Sequence, residues 1–391
     1  MLEGIRVIEM ANVISGPFAG MLLADMGAEV IKVEMPGGGD PFRMWSASQS
    51  EISPAFAAYN RGKKSVTIDI KSAEGRAAYL KLAASGDVVI DNFRPGTLDR
   101  AGIGCEVLRV TAPSLIYCAV SGLGHVGPDR DRPTYDAIAQ AMSGLWSQLT
   151  DLDAPQPVGP PMSDQLTGLY AANAVLGALV ARGRNGGVGQ RLDVSMLGAS
   201  IAFQPHAVAE FLSSGKIADK LSRAYNSQSY AFVASDGRPF AVHLSSLPKF
   251  WKALLVAVAR PELEEDPRFA TKQARGANYE ELHSVLQAIF ATAPRAVWLA
   301  TLQAEDVPCG PIHTIGEALE DPQVRALEMT RSFGSGDRAT QLVGYGFAAS
   351  GGQPEGTGRP VPKLGEHTEA VLAECGYDKE AVAALRRASA V

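Results

Sequence analysis

Residues 5–34 read IRVIEMANVISGPFAGMLLADMGAEVIKVE, and the order of apolar runs within them decides the fold class. IRVIEM is a short run rich in β-branched residues, which favours a strand. GPFAGMLLADMGA follows with helical character: Pro17 fits the first turn, where a missing N–H costs nothing, and Gly27 suits the helix end. EVIKVE is the next strand. Strand, helix and strand at this spacing make a βαβ unit, which implies a parallel pair joined by a crossover.

The pattern repeats downstream. KSVTIDI, SAEGRAAYLKLAASG and DVVIDNF form a second unit, with Ser72 as helix N-cap and Gly86 just past the helix end. SLIYCAV at 114–120 and GQRLDVSM at 189–196 are further strands. Apolar strands alternating with helices predict an α/β fold whose parallel sheet is covered on both faces. From about residue 225 the character changes. SYAFVASDGRPFAVHL predicts a hairpin turning at Asp236–Gly237, and amphipathic helices follow it. Residues 225–328 are therefore expected as a smaller α+β domain, set between 1–224 and 329–391.

Composition narrows the function classes. A chain of 391 residues exceeds the usual single-domain size, and with 46% hydrophobic and 20% charged residues it can bury a large core. The net charge of −6 is spread without long runs of one sign, so no nucleic acid and no membrane surface is expected as a partner. Four scattered cysteines show neither a CxxC pair nor a histidine at ligand spacing, so neither a disulfide framework nor a metal site is expected. MLEGIRVIEM lacks the pattern of a secretory leader, and the expected location is the cytoplasm.

The turn after the first strand, ANVISGPFAG, lacks the GxGxxG spacing of dinucleotide binding, which disfavours an NAD enzyme. GGGDPFR offers backbone amides and Arg43 to a phosphate, or is simply a surface loop. DNFRPGTLDR, directly after a strand, combines an amide, an aromatic face and two arginines, a set that suits a nucleotide; packing of Phe93 with solvated arginines is the alternative. No GxSxG elbow is present and the six histidines do not cluster; His125, in SGLGHVG, is a candidate acid or base.

Within GPPMSDQLTGLYAANAVLGALVARG, residues 159–183, Ser163 or Asp164 is expected as helix N-cap. Free amides and the helix dipole there hold a carboxylate pKa down, so Asp164 is expected to stay ionised, as a simple cap or as an oxygen nucleophile toward an acyl carbon. The Ala and Gly content behind it suggests close packing against another backbone, of this chain or of a partner chain.

Collinear blocks, among them GIRVIEMANVISGPFAGMLLADMGAEVIKVEMPGGGDPFR, YNRGKKSVTIDIKSAEGR, DNFRPGTLDRAGIG, PTYDAIAQAMSGL and PPMSDQLTGLYAANAVLGAL, resemble the family III CoA-transferases from end to end. The resemblance implies a Rossmann-like large domain built from both chain ends, a small middle domain and two chains interlocked as a homodimer. It implies coenzyme A and acyl-CoA as substrates, a carboxylic acid as acceptor, and Asp164 as the nucleophile that passes through an anhydride and an aspartyl-CoA thioester. Ile14, Ser15, His125, Tyr135 and Asp136 fall around the implied substrate pocket. Val13, Asn92, Phe93, Arg94 and Arg100 fall at CoA-binding positions, with Lys63, Lys64 and Arg43 as further phosphate partners. The racemase branch of the family has a histidine where this chain has Tyr135, which places 2-methylacyl-CoA racemisation behind transfer. Formyl-CoA transferase has a glutamine at the position of Ile14 and a tetraglycine loop with no counterpart near HLSSLPKF, which argues against oxalate as acceptor. A CoA-binding protein without catalysis is the remaining alternative.

Overall fold

The computed structural model describes residues 1–45, 52–245, 247–352 and 358–391. Strands β1 (Arg6–Met10), β2 (Glu29–Glu34), β3 (Lys64–Thr67), β4 (Val88–Asp91), β5 (Ile116–Ser121) and β6 (Arg191–Ser195) form one sheet in the order β3-β2-β1-β4-β5-β6. Every neighbouring pair is parallel. Strand order reverses between β1 and β4, and at such a switch point the connections leave in opposite directions and open a crevice beyond the strand ends.

The helices joining these strands are α1 (Ser15–Asp25), α2 (Pro54–Asn60), α3 (Ala73–Ala84), α4 (Thr97–Arg100), α5 (Cys105–Thr111), α6 (Asp136–Met142) and α7 (Met162–Arg182). Ser72 caps α3 by accepting the Gly75 N–H, as its residue type suggests. Alternate residues of each strand face opposite layers. Val7, Val30, Val88, Ile90, Ile116 and Cys118 pack with Leu23 of α1 and Ala171 and Val175 of α7. Ile8, Ile31, Val66, Val89 and Tyr117 pack instead with Tyr79 and Leu82 of α3, Leu108 of α5 and Val371. Both faces are thus dry, which is why the strands read as nearly continuous apolar runs.

Among the exceptions are Glu9 and Lys32, paired across β1 and β2 and both fully buried. They open a cluster of ions. Lys32 Nζ lies 3.0 Å from Glu9 and 2.9 Å from Asp40, and Lys63 Nζ lies 2.7 Å from the other Glu9 oxygen. Glu34 takes Arg43 on both oxygens and the Ser65 hydroxyl on one. Three carboxylates thus meet three cations, the condition under which charge survives burial. Burial pulls the Lys32 ammonium down, but Glu9, Asp40 and Glu34 outweigh it and hold the group above its ordinary value.

β3 is an edge strand, and the last residues of the chain cover it. Its outward Ser65 N–H donates to His367 Nδ1 at 3.2 Å and its Thr67 N–H to Thr368 Oγ1 at 3.0 Å, while Asp69 N–H reaches the Ala390 carbonyl at 2.8 Å. The segment 334–365, rich in Gly and Pro, follows a strand Thr330–Phe333 that pairs antiparallel with Thr340–Val343 inside it.

Contacts divide the chain into two compact units. One comprises Met1–Leu145, Gly159–Pro205 and Glu328–Val391; the other comprises Trp146–Val158 and His206–Leu327. In the second, Ser229–Val233, Pro239–His243 and Cys309–Pro311 form an antiparallel sheet whose first turn has Gly237 at φ 73°, as the Asp-Gly pair predicts. Its core gathers Phe232, Phe240, Trp251, Leu254, Leu286 and Phe290.

Candidate active site

The turn between β1 and α1 is held from outside at every peptide from Ala11 to Val13. Lys32 Nζ donates to the Ala11 carbonyl at 2.6 Å. Asn92, just past β4, accepts the Asn12 N–H at 2.9 Å and donates to the Asn12 carbonyl at 2.7 Å. Asp40 accepts the Val13 N–H at 3.2 Å on each oxygen. Val13 itself sits at φ 68°, a left-handed conformation that is costly for a β-branched residue and persists only when neighbours over-determine it. The result is that Ser15, first residue of α1, is set in the lining of the cavity that also holds Asp164.

Asp164 is 9% exposed and stands at the wall of a cavity of about 280 Å³. The cavity is also lined by Asn12, Val13, Ser15, Asn92, Phe93 and Arg94, and by Arg130, Arg132, Thr134 and Tyr135. It opens past the ends of β4 and β5, next to the switch point.

Two expectations about Asp164 are corrected here. α7 begins at Met162 after Pro161, so Asp164 is its third residue and neither it nor Ser163 is the cap; Ser163 Oγ bonds Ser200 Oγ instead. The Asp164 N–H is taken by Asp136 Oδ1 at 3.1 Å, and Gln140 Nε2 fixes the other Asp136 oxygen. Asp136 therefore meets the positive end of α7 and sets a second negative charge beside the first. Burial, and then that neighbouring carboxylate, push Asp164 up to about 7. Opposing them is Ser15, at the start of α1, which lines the same cavity and draws the carboxyl back down. The stabilising helix end is thus a neighbour's, not its own.

The remaining candidates separate into two groups. Val13, Ser15, Asn92, Phe93, Arg94 and Tyr135 line the cavity that holds Asp164. Arg94 is also shared with an adjoining cavity of about 530 Å³, where Arg100, Arg130 and Arg191 outnumber Asp99 and Asp131. His125 belongs to this second cavity, with Nε2 3.5 Å from Asp193, so it stands apart from Asp164. Ile14 is buried among Phe42, Phe56 and Val361 and does not line the Asp164 cavity. Lys63 is fully buried between Glu9, the Pro17 carbonyl and Asn60. Lys64 pairs with Glu29, and Arg43 is held by Glu34 and the Pro362 carbonyl over the Phe56 ring. These three cations answer buried or neighbouring carboxylates, which is why the structure does not present them to a phosphate. A larger cavity of about 690 Å³ lies at the opposite strand ends, around Arg6, Glu29 and Asp87, away from this chemistry.

Residues the sequence reading passed over are Asp40 and Asn12, which shape the turn, and Arg130 and Arg132, which line the cavity that holds Asp164. A signal for the first was present: Glu9 and Lys32 are charges inside strands otherwise written for a dry interior, and such charges require partners.

The small residues of α7 pack against α1 of the same chain. A Cβ on Gly168 would stand 2.8 Å from the Ser15 carbonyl oxygen and 2.9 Å from the Phe18 ring, whereas one on Gly177 meets nothing. Gly168→Ala is therefore expected to cost on the order of 1–3 kcal/mol, and Gly177→Ala is expected to be neutral or stabilising. Thermal melts of the two variants check this; equal melting temperatures would contradict the close approach.

Residues 2–368 match the profile of CoA-transferase family III. A succinate–glutarate CoA-transferase from Agrobacterium fabrum is 37% identical, covering 95% of each chain. An acetyl-CoA:oxalate CoA-transferase from Acetobacter aceti is 34% identical, again over 95% of each. The crystal structure of a CAIB/BAIF family protein from Brucella suis superposes with a TM-score of 0.84 at 34% identity, covering 95% of this chain and 98% of the other. The chain is a member of CoA-transferase family III.

Proposed function

We propose that this chain moves CoA from an acyl-CoA donor, succinyl-CoA first among candidates, to a small carboxylic acid through covalent intermediates on Asp164. The observation that carries the reading is a buried carboxylate in a cavity walled by the Asn92-Phe93-Arg94 loop. The Asp164 carboxylate attacks the donor carbonyl and CoA thiolate leaves, giving a mixed anhydride. The thiolate then attacks the Asp164 carbonyl, the donor acid departs, and an aspartyl-CoA thioester remains. The acceptor acid reverses both steps. In this reading Arg94 and Arg100 bind CoA phosphates at the arginine-rich cavity, and Phe93 packs on the nucleotide side.

The relatives supply the substrate class: one is named for succinate and glutarate, another for oxalate. Transfer is favoured over racemisation because, among the described residues, no imidazole lines the cavity that holds Asp164 to remove an α-proton. The working form in this proposal is an interlocked homodimer with a Rossmann-like large domain. Helix Pro205–Ser214 has no buried residue and leaves Phe211 and Leu212 exposed, as a surface awaiting a second copy would. Four free thiols suit the reducing cytoplasm.

Succinyl-CoA with hydroxylamine tests the mechanism. The expected product is a hydroxamate on Asp164, seen as a mass shift in the peptide that contains it, and no modification at that residue would sink the proposal. A panel of dicarboxylic and hydroxy acids with succinyl-CoA, read by mass spectrometry of the thioesters formed, identifies the acceptor.

A further inference from the structure

Resting on the transfer reading above, we infer that Arg132 sets the substrate class: its guanidinium takes the far carboxylate of a short dicarboxylic acyl group whose near end reacts at Asp164. Among the described residues that line this cavity of about 280 Å³, Asp164 is the one carboxylate against three guanidinium groups, those of Arg94, Arg130 and Arg132. Arg94 and Arg130 also line the adjoining arginine-rich cavity, where phosphates compete for them, and Arg132 does not. Within the chain Arg132 has a weak partner: its Nη1 stands 3.5 Å from Asp129 Oδ2, and both side chains are about half exposed. An exposed pair of that length contributes little, and most of the fork of donors stays uncommitted. A planar carboxylate arriving from a substrate fits that fork with two parallel bonds.

The loop that carries Arg132 is anchored on the site. The Arg132 N–H donates to the Asp129 carbonyl at 2.9 Å and closes a turn. Just beyond, Thr134 packs on the residue that follows β5: a Cβ on Gly122 would stand 2.5 Å from Thr134 Cβ, so only glycine allows the approach. Asp136 then accepts the Asp164 N–H at 3.1 Å. The same short segment thus sets a cation in the cavity and touches the nucleophile's own backbone. The proposed reaction gives that cation a use. In the aspartyl-CoA thioester the Asp164 carboxyl is neutral, so the lining then presents three cations and no carboxylate. An acceptor oxygen attacks Asp164 Cγ, the O–C bond forms, the C–S bond breaks and the electron pair leaves on the CoA thiolate. A monocarboxylic acceptor has no charge left after that step. A dicarboxylic one keeps its far carboxylate ionised, paired with Arg132 throughout.

The test compares succinyl-CoA with butyryl-CoA, which has the same carbon chain without the far carboxylate, in hydroxylamine trapping at Asp164. Wild type is expected to favour succinyl-CoA in kcat/KM by about 10- to 100-fold. Arg132→Gln should bring that ratio to within about twofold of unity, and Arg132→Lys, which keeps the charge but loses the planar fork, should fall between. A phosphate-binding or purely structural role lowers both rates together and leaves the ratio unmoved, which overturns the inference. A wild-type protein indifferent to the far carboxylate overturns it too. Calorimetric titration of glutarate against pentanoate repeats the comparison without turnover: wild type should bind glutarate about 10-fold or more tightly, and Arg132→Gln should bind the two alike. Equal binding of both acids by wild type counts against Arg132. If neither thioester leaves a hydroxamate on Asp164, the transfer reading falls and the titration still decides for or against Arg132; a protein that traps both thioesters equally well sinks only the role of Arg132.

Discussion

Asp164→Asn is expected to abolish CoA transfer, by about 10⁴-fold or more, and at the same time to raise the melting temperature at pH 8. Both follow from the same environment. Burial and Asp136 push the Asp164 carboxyl up to about 7, well above its value of 3.8 in an unfolded chain. The native protein thus keeps a proton there that the unfolded chain has already lost. The associated stability is present in full below pH 3.8 and is lost as pH rises through about 7. Above that, the wild-type protein carries a buried charge whose cost is on the order of 4 kcal/mol. Asparagine removes the cost, so the stability gap between variant and wild type should be small at pH 5 and open by pH 8. Thermal melts across that range are the check, and a gap that does not grow with pH would contradict the placement of Asp164 beside Asp136. The titration has a kinetic side. In the proposed mechanism only the carboxylate attacks, so kcat/KM of the wild-type enzyme should rise with pH toward a plateau, with its midpoint near 7.

The second large effect lies beneath the site. Glu9→Gln keeps shape and hydrogen-bonding capacity but removes the charge that Lys32 and Lys63 share, leaving two buried ammonium groups with insufficient compensation. Breaking a buried pair from one side costs about 3–5 kcal/mol, and a loss of that order at pH 7 is expected in chemical denaturation. Lys63 offers a partial escape. Burial pulls it down to about 8, with Lys32 helping and Glu9 opposing, so without Glu9 it sheds its proton more readily. The penalty should therefore be smaller at pH 9 than at pH 7. Transfer activity should fall as well, because Lys32 also holds the Ala11 carbonyl and Asp40, which pin the turn bearing Ser15. A Glu9→Gln protein as stable as wild type at pH 7 would mean that the cluster is not closed as described.

The sheet was legible because each of its strands is a short apolar run with a helix pattern beside it, and Pro17, Ser72 and the Asp236–Gly237 pair occupy the places their chemistry predicts. Asp164 was legible as a residue and misjudged as an environment. Local sequence shows an acid near a helix start; it does not show that Asp136, from another helix, takes the Asp164 N–H. The same limit explains Lys63, Lys64 and Arg43. Their positions beside loops at strand ends suggested phosphate, but the carboxylates that claim them come from β1 and β2. Ile14, which follows the left-handed Val13, packs into a core cluster whose other members, Phe42, Phe56 and Val361, lie far from it in sequence. Partners distant in sequence decide each of these cases. The strand pair at 330–343 and the helix Lys379–Arg387 went unseen because glycine and proline, or charge, dominate their composition.

The covering of β3 by the last residues has a consequence for how the protein is made. Ser65 and Thr67 emerge from the ribosome some 300 residues before His367 and Thr368, which satisfy their outward amides. Throughout that interval the nascent sheet has a bare edge, open to pairing with other chains. The edge is thus closed by residues that follow it some 300 positions later, and a nascent chain that still lacks them is expected to be the form most open to such pairing.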